Sequence, residues 1–297
     1  MFAVRYNCGM TAIIHNAFPD ATANVDFERR FGGIARLYGE MALERFRDAH
    51  VCVIGVGGVG SWAVEALARS AIGRLTLIDL DNVAESNINR QIQALQNTLG
   101  MAKVSALAER IAQINPYCRV TEIEDFITPD NLDGMIGTQG YDYVIDAIDS
   151  VTAKTALIAY CRAKGIPLVT IGSAGGQTDP TRIEICDLCR TEQEPLLAKV
   201  RKLLRQQHGF PRGTKTRFGI DAVYSTEPLH YPKTGEACSL DADERSGVTG
   251  LNCAGFGSAM VVTASFGMAA AAHVLRKLSA STAAIPTQTP VAQTICS

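Results

Sequence analysis

Residues 55–60 have the composition and spacing of a phosphate-binding turn, Gly-Val-Gly-Gly-Val-Gly. They follow an apolar run at residues 50–54 and precede a stretch of helical periodicity, so they lie between a predicted strand and a predicted helix. Glycine lets the backbone approach an anion, and the first turn of a helix offers unpaired N–H groups. Gly55 would form the turn, Gly57 would face a phosphate, and Gly60 would let helix and strand pack closely. The segment therefore predicts a nucleotide site.

Charged side chains further along the chain indicate which nucleotide is bound. Asp79 ends the next apolar run, nineteen residues after Gly60, where an acid hydrogen-bonds a ribose hydroxyl. The groups that follow are Asp81, Ser86, Asn87, Arg90, Gln91, Lys103, and the pair Asp146 and Asp149. Attack on the α-phosphate of ATP builds negative charge that Arg, Lys and Mg²⁺ offset, whereas the glycine turn largely satisfies a dinucleotide's pyrophosphate. The set therefore favours ATP, with Arg90 and Lys103 on the phosphates and Asp149 holding Mg²⁺.

Apolar runs of strand length alternate with segments of helical periodicity over most of the chain. The predicted strands are residues 50–55, 74–79, 119–123, 143–147, 167–171 and, less regularly, 181–186. The predicted helices are residues 59–70, 103–114, 152–164 and 195–207. This alternation predicts an α/β fold: a Rossmann-like, doubly wound, mainly parallel sheet with helices on both faces and an irregular C-terminal extension of the sheet.

One ATP-binding domain is predicted over residues 27–278. Residues 1–26 are predicted to be a poorly ordered extension, because polar residues interrupt their apolar runs. Residues 279–297 carry no charge and are rich in Ser, Thr, Ala, Pro and Gln, which predicts a disordered tail. Residues 246–275 are uncharged and long enough to span a bilayer. Their second half is mostly Gly, Ala, Ser and Thr, which favours a buried helix without membrane insertion.

The composition excludes some classes of function. A chain of 297 residues with a net charge of −2 has no global attraction to nucleic acid or membrane, so such contacts depend on a local patch. Nine scattered cysteines do not form a disulfide framework and indicate reduced thiols in the cytoplasm. Residues 196–220 contain no acid and seven basic side chains: Lys199, Arg201, Lys202, Arg205, Arg212, Lys215 and Arg217. Such a segment is either a solvated surface or a site for a phosphate backbone.

Five motifs in this order make the chain similar to the ubiquitin-activating-enzyme-like adenylyltransferases, which act in molybdopterin and thiamine biosynthesis. They are the glycine turn at 55–61, the acids Asp79 and Asp81, Ser86-Asn87-x-x-Arg90-Gln91, Gly100-x-x-Lys103, and Asp146-x-x-Asp149. Within that superfamily, residues 30–39, 144–150 and 175–180 resemble the tRNA threonylcarbamoyladenosine dehydratases. The resemblance covers residues 27–278, nearly all of the chain that is predicted to be ordered.

The resemblance implies a reaction on tRNA. Members of that family use ATP to adenylate the threonine carboxylate of a modified adenosine 3′ of the anticodon, and the carbamoyl group of the modification then attacks, giving a cyclic product with loss of water. It implies that ATP is bound by Gly55, Gly57, Gly58, Gly60, Asp79, Asp81, Ser86, Asn87, Arg90 and Lys103. Arg90, Lys103 and Asp149 would be catalytic, Asp149 would orient Mg²⁺, and the basic segment would contact tRNA.

The resemblance also implies partners. It points to a homodimer, to a tRNA carrying threonylcarbamoyladenosine as the substrate, and to a sulfur-relay protein and a monovalent cation as further candidates. In the wider superfamily an arginine reaches the ATP of the partner subunit. Gly33 stands at that position here, so Arg30 or Arg36 would have to replace it.

Two groups of cysteines are candidate sites. Cys186-Asp187-Leu188-Cys189 lacks the second cysteine pair that a structural zinc site needs, so zinc is not expected. Cys238 lies in a polar loop where relatives carry a transfer cysteine, and a thiolate there could accept the acyl group. Cyclisation within the substrate does not require such a step, because the attacking group is already held near the adenylate.

Three other functions stay open at this level. An adenylyltransferase that activates the C-terminus of a sulfur-carrier or ubiquitin-like protein would share the fold, although the missing zinc pairs and the basic segment argue against it. An NAD-dependent oxidoreductase would leave Arg90, Lys103 and Asp149 unexplained. A non-catalytic tRNA-binding or sulfur-relay scaffold would bind the nucleotide without turnover, and release of pyrophosphate separates it from the enzymes.

Overall fold

A computed structural model of the chain describes residues 2–5, 11–15, 26–231 and 256–280. In these residues, nine strands form one sheet in the order β1-β2-β5-β4-β3-β6-β7-β9-β8. The strands are β1 (Phe2–Arg5), β2 (Thr11–His15), β3 (His50–Ile54), β4 (Arg74–Ile78), β5 (Arg119–Ile123), β6 (Tyr143–Asp146), β7 (Leu168–Ile171), β8 (Ile183–Asp187) and β9 (Asp221–Ser225). The helices are α1 (Phe27–Tyr38), α2 (Glu40–Asp48), α3 (Gly60–Arg69), α4 (Lys103–Ile114), α5 (Val151–Lys164), α6 (Pro195–Gln207) and α7 (Met260–Ala280).

The six central strands run parallel, which confirms the predicted doubly wound sheet. β5, β4, β3, β6, β7 and β9 are parallel neighbours, while β8 pairs antiparallel with β9 at one edge. The bounds of α4 and β5 agree with the prediction at every residue, and those of the other predicted central elements agree within two residues. The less regular strand predicted at residues 181–186 is β8, whereas β9 was not predicted.

Helices cover both faces of the sheet. On one face α2, α3, α4 and α7 pack on alternate strand residues such as Val51 and Val53, and on the other face α5 and α6 pack on Cys52 and Ile54. All four of these β3 side chains are buried, as expected for a parallel strand between two helical layers. The central strands are therefore fixed from both sides, and only their ends are open to a ligand.

The N-terminal segment differs from the prediction. Residues 2–5 and 11–15, expected to be poorly ordered, form the antiparallel pair β1 and β2, and β2 pairs antiparallel with β5. Without them, β5 would present a row of unpaired backbone groups, and a strand pair satisfies such an edge even when its apolar runs are short. The remaining residues of the predicted extension, apart from residue 26, lie outside the described part of the chain.

Helix α7 accounts for part of the uncharged stretch. It begins at Met260, packs against α2 and α3, and ends at Ala280, so residues 279 and 280 belong to a helix rather than to the predicted tail. Residues 246–255 and 281–297 lie outside the described part of the chain. Among the described helices, none combines the length and the apolar character that a membrane span needs.

Gly267 sets the distance between α7 and α3. A Cβ atom at this position would lie 2.4 Å from the carbonyl oxygen of Val59 and 2.9 Å from the backbone nitrogen of Ala63. Both contacts are backbone atoms of the first turn of α3, which cannot move without moving the preceding glycine turn. Close packing of α7 on the glycine turn therefore requires glycine at this position.

We predict that Gly267→Ala lowers the free energy of unfolding by about 1–3 kcal/mol, the usual cost of overpacking a buried contact. Denaturant unfolding followed by circular dichroism measures the change. Gly134→Ala is the matched control, because a Cβ at Gly134 meets no atom within 4 Å. Equal stability of the Gly267→Ala variant and the wild type would contradict the contact.

Candidate functional site

A cavity of about 480 Å³ opens at the C-terminal ends of the parallel strands. Its walls come from the loops after β3, β4, β5, β6 and β7, the edge where open α/β sheets bind ligands. The predicted site residues that line it are Gly55, Gly57, Gly58, Asp79, Asp81, Asn87, Arg90, Lys103 and Asp149. The fold thus brings together groups from five separate sequence motifs.

The glycine turn adopts the conformation that its sequence predicts. Gly55 has a φ of 81°, which side-chain-bearing residues rarely adopt, and a Cβ there would lie 2.8 Å from the carbonyl oxygen of Ala147. A Cβ at Gly60 would lie 1.9 Å from the carbonyl oxygen of Gly55, so only glycine fits. No described side chain caps the N-terminus of α3, so its positive dipole end faces the turn, while the N–H groups of Ser61, Trp62 and Ala63 donate to the carbonyl oxygens of Gly57 and Val59.

Asp79 fastens the end of β4 to the glycine turn. Its Oδ2 accepts a hydrogen bond from the backbone N–H of Val56 at 2.8 Å, and its Oδ1 accepts one from Asp81 at 3.0 Å. Burial raises the pKa of Asp79, and the charge of Lys103 and these two N–H donors act in the opposite direction. Asp79 therefore has a structural task in the turn besides any contact with a ligand.

Lys103 enters the cavity from the first turn of α4. Its Nζ lies 2.6 Å from Oδ2 of Asp81 and 3.9 Å from Oδ1 of Asp79, and its side chain is buried. The backbone N–H of Lys103 donates to the carbonyl oxygen of Asp81, so helix and carboxylate are fixed together. One ammonium group thus offsets two carboxylates at the point where a polyphosphate would enter.

Arg90 lies across the glycine turn. Its Nη1 donates to the carbonyl oxygen of Ser86 at 2.8 Å, and burial lowers its pKa. A Cβ at Gly58 would lie 3.1 Å from Cγ of Arg90, and the indole N–H of Trp62 on α3 donates to the Arg90 carbonyl oxygen at 2.9 Å. The guanidinium is therefore held next to the phosphate-binding turn by contacts on both sides.

Two other residues of the same motif have different positions. Asn87 lines the cavity, and its Oδ1 accepts the backbone N–H of Ala84, which leaves its amide donors for a ligand. The side chain of Ser86 does not line the cavity, although its carbonyl oxygen anchors Arg90. The structure therefore brings Asn87 and Arg90 to the site and places the hydroxyl of Ser86 outside its walls.

The pair Asp146 and Asp149 is divided between core and cavity. Asp149 is exposed and lines the cavity, as predicted for a residue that faces phosphates and a metal ion. Asp146 is fully buried and pairs with Lys154 at 2.9 Å, so it does not face the cavity. Among the described residues, no three His, Cys, Asp or Glu side chains cluster as a metal site.

Sequence reasoning missed part of the site. Asp125, Phe126 and Ile127 line the cavity after β5, and Phe126 keeps 56% of its surface exposed. These three residues could have been predicted, because they follow a parallel strand just as Asp79 does, at the side of the sheet where ligands bind. Gln93 had no such signal: its buried amide donates to the carbonyl oxygen of Val56 at 2.9 Å and so supports the glycine turn from behind.

The two candidates for the missing trans arginine differ in their contacts. The guanidinium of Arg30 donates to the carbonyl oxygens of Gln113 and Ile114 at 3.1 Å and 2.9 Å, where it caps the C-terminus of α4. Arg36 lies on the same helix, and its guanidinium is near Gly32 and Gly33. Arg30 therefore has a role within its own chain, and Arg36 is the better candidate.

The basic segment runs from the C-terminal ends of the parallel strands to their N-terminal ends. Leu196, near the start of α6, lines the cavity, whereas the loop after α6 leads to Asp221 at the start of β9, beside the start of β7. Because β7 and β9 are parallel, the start of β9 lies at the N-terminal ends of the strands, opposite the cavity. The 13 residues of α6 cover about 20 Å between the two edges.

Five of the seven basic side chains are exposed to solvent, namely Lys199, Lys202, Arg212, Lys215 and Arg217. The other two are engaged within the chain. Arg201 donates to the hydroxyl of Thr191, and Arg205 donates to the carbonyl oxygens of Pro211 and Gly213 at 3.2 Å and 3.0 Å. The structure therefore assigns Arg201 and Arg205 to holding the loops at the two ends of α6.

The thiols of Cys186 and Cys189 contact backbone carbonyl oxygens, those of Asp187 and Thr214 respectively. Burial raises the pKa of both thiols, which disfavours the thiolate form that binds metal. The carboxylate of Asp187 accepts the backbone N–H groups of Cys189, Phe218 and Gly219, which holds this turn in place. Cys238 lies outside the described residues.

Comparison with known proteins gives a consistent match. A model of the ThiF family matches residues 31–294. The chain is 55% identical over 259 residues to the tRNA threonylcarbamoyladenosine dehydratase of Escherichia coli K12, which covers 86% of this chain and 96% of that protein. It is 54% identical over 258 residues to the protein of the same name in Haemophilus influenzae, with shares of 86% and 96%.

A solved structure matches over nearly the same region. The crystal structure of the E. coli tRNA N6-threonylcarbamoyladenosine dehydratase in complex with ATP has a TM-score of 0.75 to this chain at 53% identity. It covers 84% of this chain and 94% of its own.

We predict that Lys103→Met weakens ATP binding about tenfold, because Asp79 and Asp81 then place two unneutralised carboxylates beside the polyphosphate. Isothermal titration with ATP measures the dissociation constant. Lys103→Arg, which keeps the charge, is the control and should lose less affinity. A Met variant that binds ATP as tightly as the wild type would show that Lys103 does not face the nucleotide.

Proposed function

The chain belongs to the tRNA threonylcarbamoyladenosine dehydratases of the ThiF family, and we propose how its residues carry out that reaction. It is an ATP-dependent, adenylate-forming enzyme that closes the threonylcarbamoyl group on the adenosine 3′ of a tRNA anticodon into a ring. The observation that carries this conclusion is 55% identity over 96% of the E. coli enzyme. The cavity agrees with it, because the phosphate-binding turn, the acid expected at the ribose and two positively charged side chains meet at the C-terminal ends of the strands.

The reaction needs two displacements. A carboxylate oxygen of the threonyl group attacks the α-phosphate of ATP, the bond to the β-phosphate oxygen breaks, and pyrophosphate leaves. The carbamoyl group then attacks the acyl carbon, and AMP leaves with that carboxylate oxygen. The carbamoyl group loses a proton, so the substrate loses the elements of one water molecule overall. Negative charge accumulates on the α-phosphate in the first step, so the positively charged side chains of the site must act there.

The geometry supports distinct roles for the cavity residues. Gly57 and Gly58 approach the phosphates with their backbone, and the carboxylate of Asp79 is available to the ribose. Arg90 lies across Gly58 and offsets the charge that develops on the α-phosphate. Lys103 offsets the β- and γ-phosphates after exchanging part of its contact with Asp81. Asn87 donates its amide, whereas the position of Ser86 supports a role only through its carbonyl oxygen.

Asp149 fits a magnesium ion that arrives with ATP. Its carboxylate is exposed at the cavity wall, and a single protein carboxylate combined with phosphate oxygens is a common way to hold Mg²⁺. When bound, Mg²⁺ offsets charge on the phosphate oxygens. Asp149 would orient that ion.

The exposed basic side chains support binding of the tRNA body. With the modified adenosine in the cavity, Lys199 and Lys202 on α6 lie nearer to it, and Arg212, Lys215 and Arg217 lie about 20 Å away at the other edge. These five side chains form a basic strip, and phosphates spaced along an RNA stem match it. The strip thus anchors the substrate while the cavity performs the chemistry.

The proposal also includes the assembly, the partners and the ions. The protein acts as a homodimer in the cytoplasm, and Arg36 replaces the arginine that reaches the ATP of the partner subunit, because Arg30 caps α4. A sulfur-relay protein is the further partner, and a monovalent cation is the further ion. Cys238 is not required, since the adenylate is attacked from within the same substrate.

We predict pyrophosphate release from ATP and Mg²⁺ only when tRNA carrying threonylcarbamoyladenosine is present. A coupled assay of pyrophosphate, with mass spectrometry of the recovered nucleoside, measures both products. Unmodified tRNA and a sulfur-carrier protein are the controls, and Arg90→Ala serves as the inactive variant. Release with the carrier protein, or without any macromolecule, would contradict the assigned substrate.

We predict two distinct effects along the basic strip. Lys199→Gln with Lys202→Gln should weaken binding of both a short anticodon stem-loop and whole tRNA. Arg212→Gln, Lys215→Gln and Arg217→Gln together should weaken only whole tRNA, because their edge lies about 20 Å from the cavity. Binding is measured against salt, and each lost phosphate contact should flatten the slope by about 0.7–0.9.

Arg69→Gln is the control for this series, because Arg69 is exposed on α3, on the opposite face of the sheet. Unchanged affinity and unchanged salt dependence in both sets would show that RNA does not bind along α6.

A further inference from the structure

Behind the cavity wall, a lysine and an aspartate form an ion pair that water does not reach. Nζ of Lys154 on α5 lies 2.9 Å from Oδ1 of Asp146 at the end of β6, and both side chains are fully buried. Lys154 also donates to the Asp146 carbonyl oxygen and to the Thr170 hydroxyl oxygen, each at 3.2 Å. The Thr170 hydroxyl in turn donates to Oδ2 of Asp146 at 2.7 Å. All three N–H bonds of the ammonium group thus have an acceptor.

Asp146 holds one wall of the cavity through this pair. Its Oδ1 accepts the backbone N–H of Ile148 at 3.1 Å, which fixes the turn immediately before Asp149. The same turn presents the Ala147 carbonyl oxygen to Gly55, the close approach that requires glycine there. A displacement of Asp146 would therefore move the backbone that carries Asp149 and its contact with the phosphate turn.

Glu194 holds the neighbouring wall. Its Oε1 accepts the backbone N–H of Ser173 at 2.9 Å, and its carboxylate also caps the start of α6. A Cβ at Gly172 would lie 2.8 Å from Cγ of Glu194, so this carboxylate packs directly behind residues that line the cavity. Burial raises the pKa of Glu194, and its backbone donors and the charge of Lys154 act in the opposite direction. Lys154 reaches this wall through its hydrogen bond to the hydroxyl of Thr170, two residues before Gly172.

We propose that Lys154 is a positioning residue for adenylate formation, and that its buried charge holds the two walls, residues 147–150 and 172–175, in the spacing that the reaction needs. The inference rests on the proposed function. Stability does not explain such a pair, because apolar replacements of buried ion pairs are often neutral or stabilising. The phosphate turn and Asp79 belong to β3 and β4 and do not depend on Lys154 directly, so ATP binding survives its loss better than the reaction does.

The test compares Lys154→Met with the wild type in the pyrophosphate assay, using modified tRNA, with active sites counted by ATP titration. We expect kcat per ATP-binding site to fall at least about tenfold while KM for ATP changes less than about twofold, as for loss of an interaction that matters in the transition state. Lys164→Met is the matched control on the same helix. Lys164 is 53% exposed and pairs only loosely with Asp133, at 3.4 Å, so its kcat should stay unchanged.

Two more variants keep the test informative if Lys154→Met does not fold. Lys154→Arg retains the charge and should recover part of kcat even though the larger group lowers the melting temperature. Thr170→Val removes the hydroxyl that donates to Asp146 and should lower kcat with little change in KM. Unchanged kcat per site in both the Met and the Val variants, with only a lower melting temperature, would overturn the proposal.

The outcome is separable from failure of the proposed function. A wild-type protein that releases no pyrophosphate with modified tRNA would refute the function and the inference together. A wild-type protein that is active, with a Lys154→Met variant that matches it per site or loses only ATP affinity, would refute the inference alone.

Discussion

The rest of the structure depends on one close backbone contact, between Gly60 and the carbonyl oxygen of Gly55. The turn after β3 folds back so tightly that a Cβ at Gly60 would fall 1.9 Å from the Gly55 carbonyl oxygen. Neighbouring elements are built against that turn: the loop after β6 meets Gly55, and α7 meets the first turn of α3 at Gly267. Interiors are packed too densely to absorb such shifts, so a change at any of these glycines reaches the phosphate site.

Buried carboxylates organise the same edge by accepting backbone N–H groups. Asp79 binds the glycine turn, Asp146 binds the turn before Asp149, and Glu194 binds Ser173. Each carboxylate costs free energy to bury, and that cost is offset only where a donor or a cation faces it. Lys154 lies among these acids in the core, in the same way as Lys103 lies between the acids of the cavity. The three carboxylates thus fix the loops after β3, β6 and β7, which no helix or strand holds.

Helix α6 connects the two parts of the proposed function. Its first turn contributes Leu196 to the cavity, and Glu194 caps it from the same side. Its apolar side chains pack on the sheet, and its exposed lysines continue toward the loop at the opposite edge. A rigid helix about 20 Å long therefore keeps the exposed basic side chains after α6 at a fixed distance from the cavity. Arg201 and Arg205 fasten its two ends rather than adding to the strip.

The sequence by itself determined the features that depend on near neighbours along the chain. Strand runs, helical periodicity and the glycine turn depend on local geometry, so the fold class, the bounds of α4 and β5, and nine residues that line the cavity could be predicted. Tertiary structure alone decided that Asp146 is buried with Lys154 while Asp149 faces the cavity, that Ser86 lies outside it, and that residues 2–5 and 11–15 extend the sheet. These outcomes depend on contacts between distant segments, whose free energies are set by the packing of the whole core.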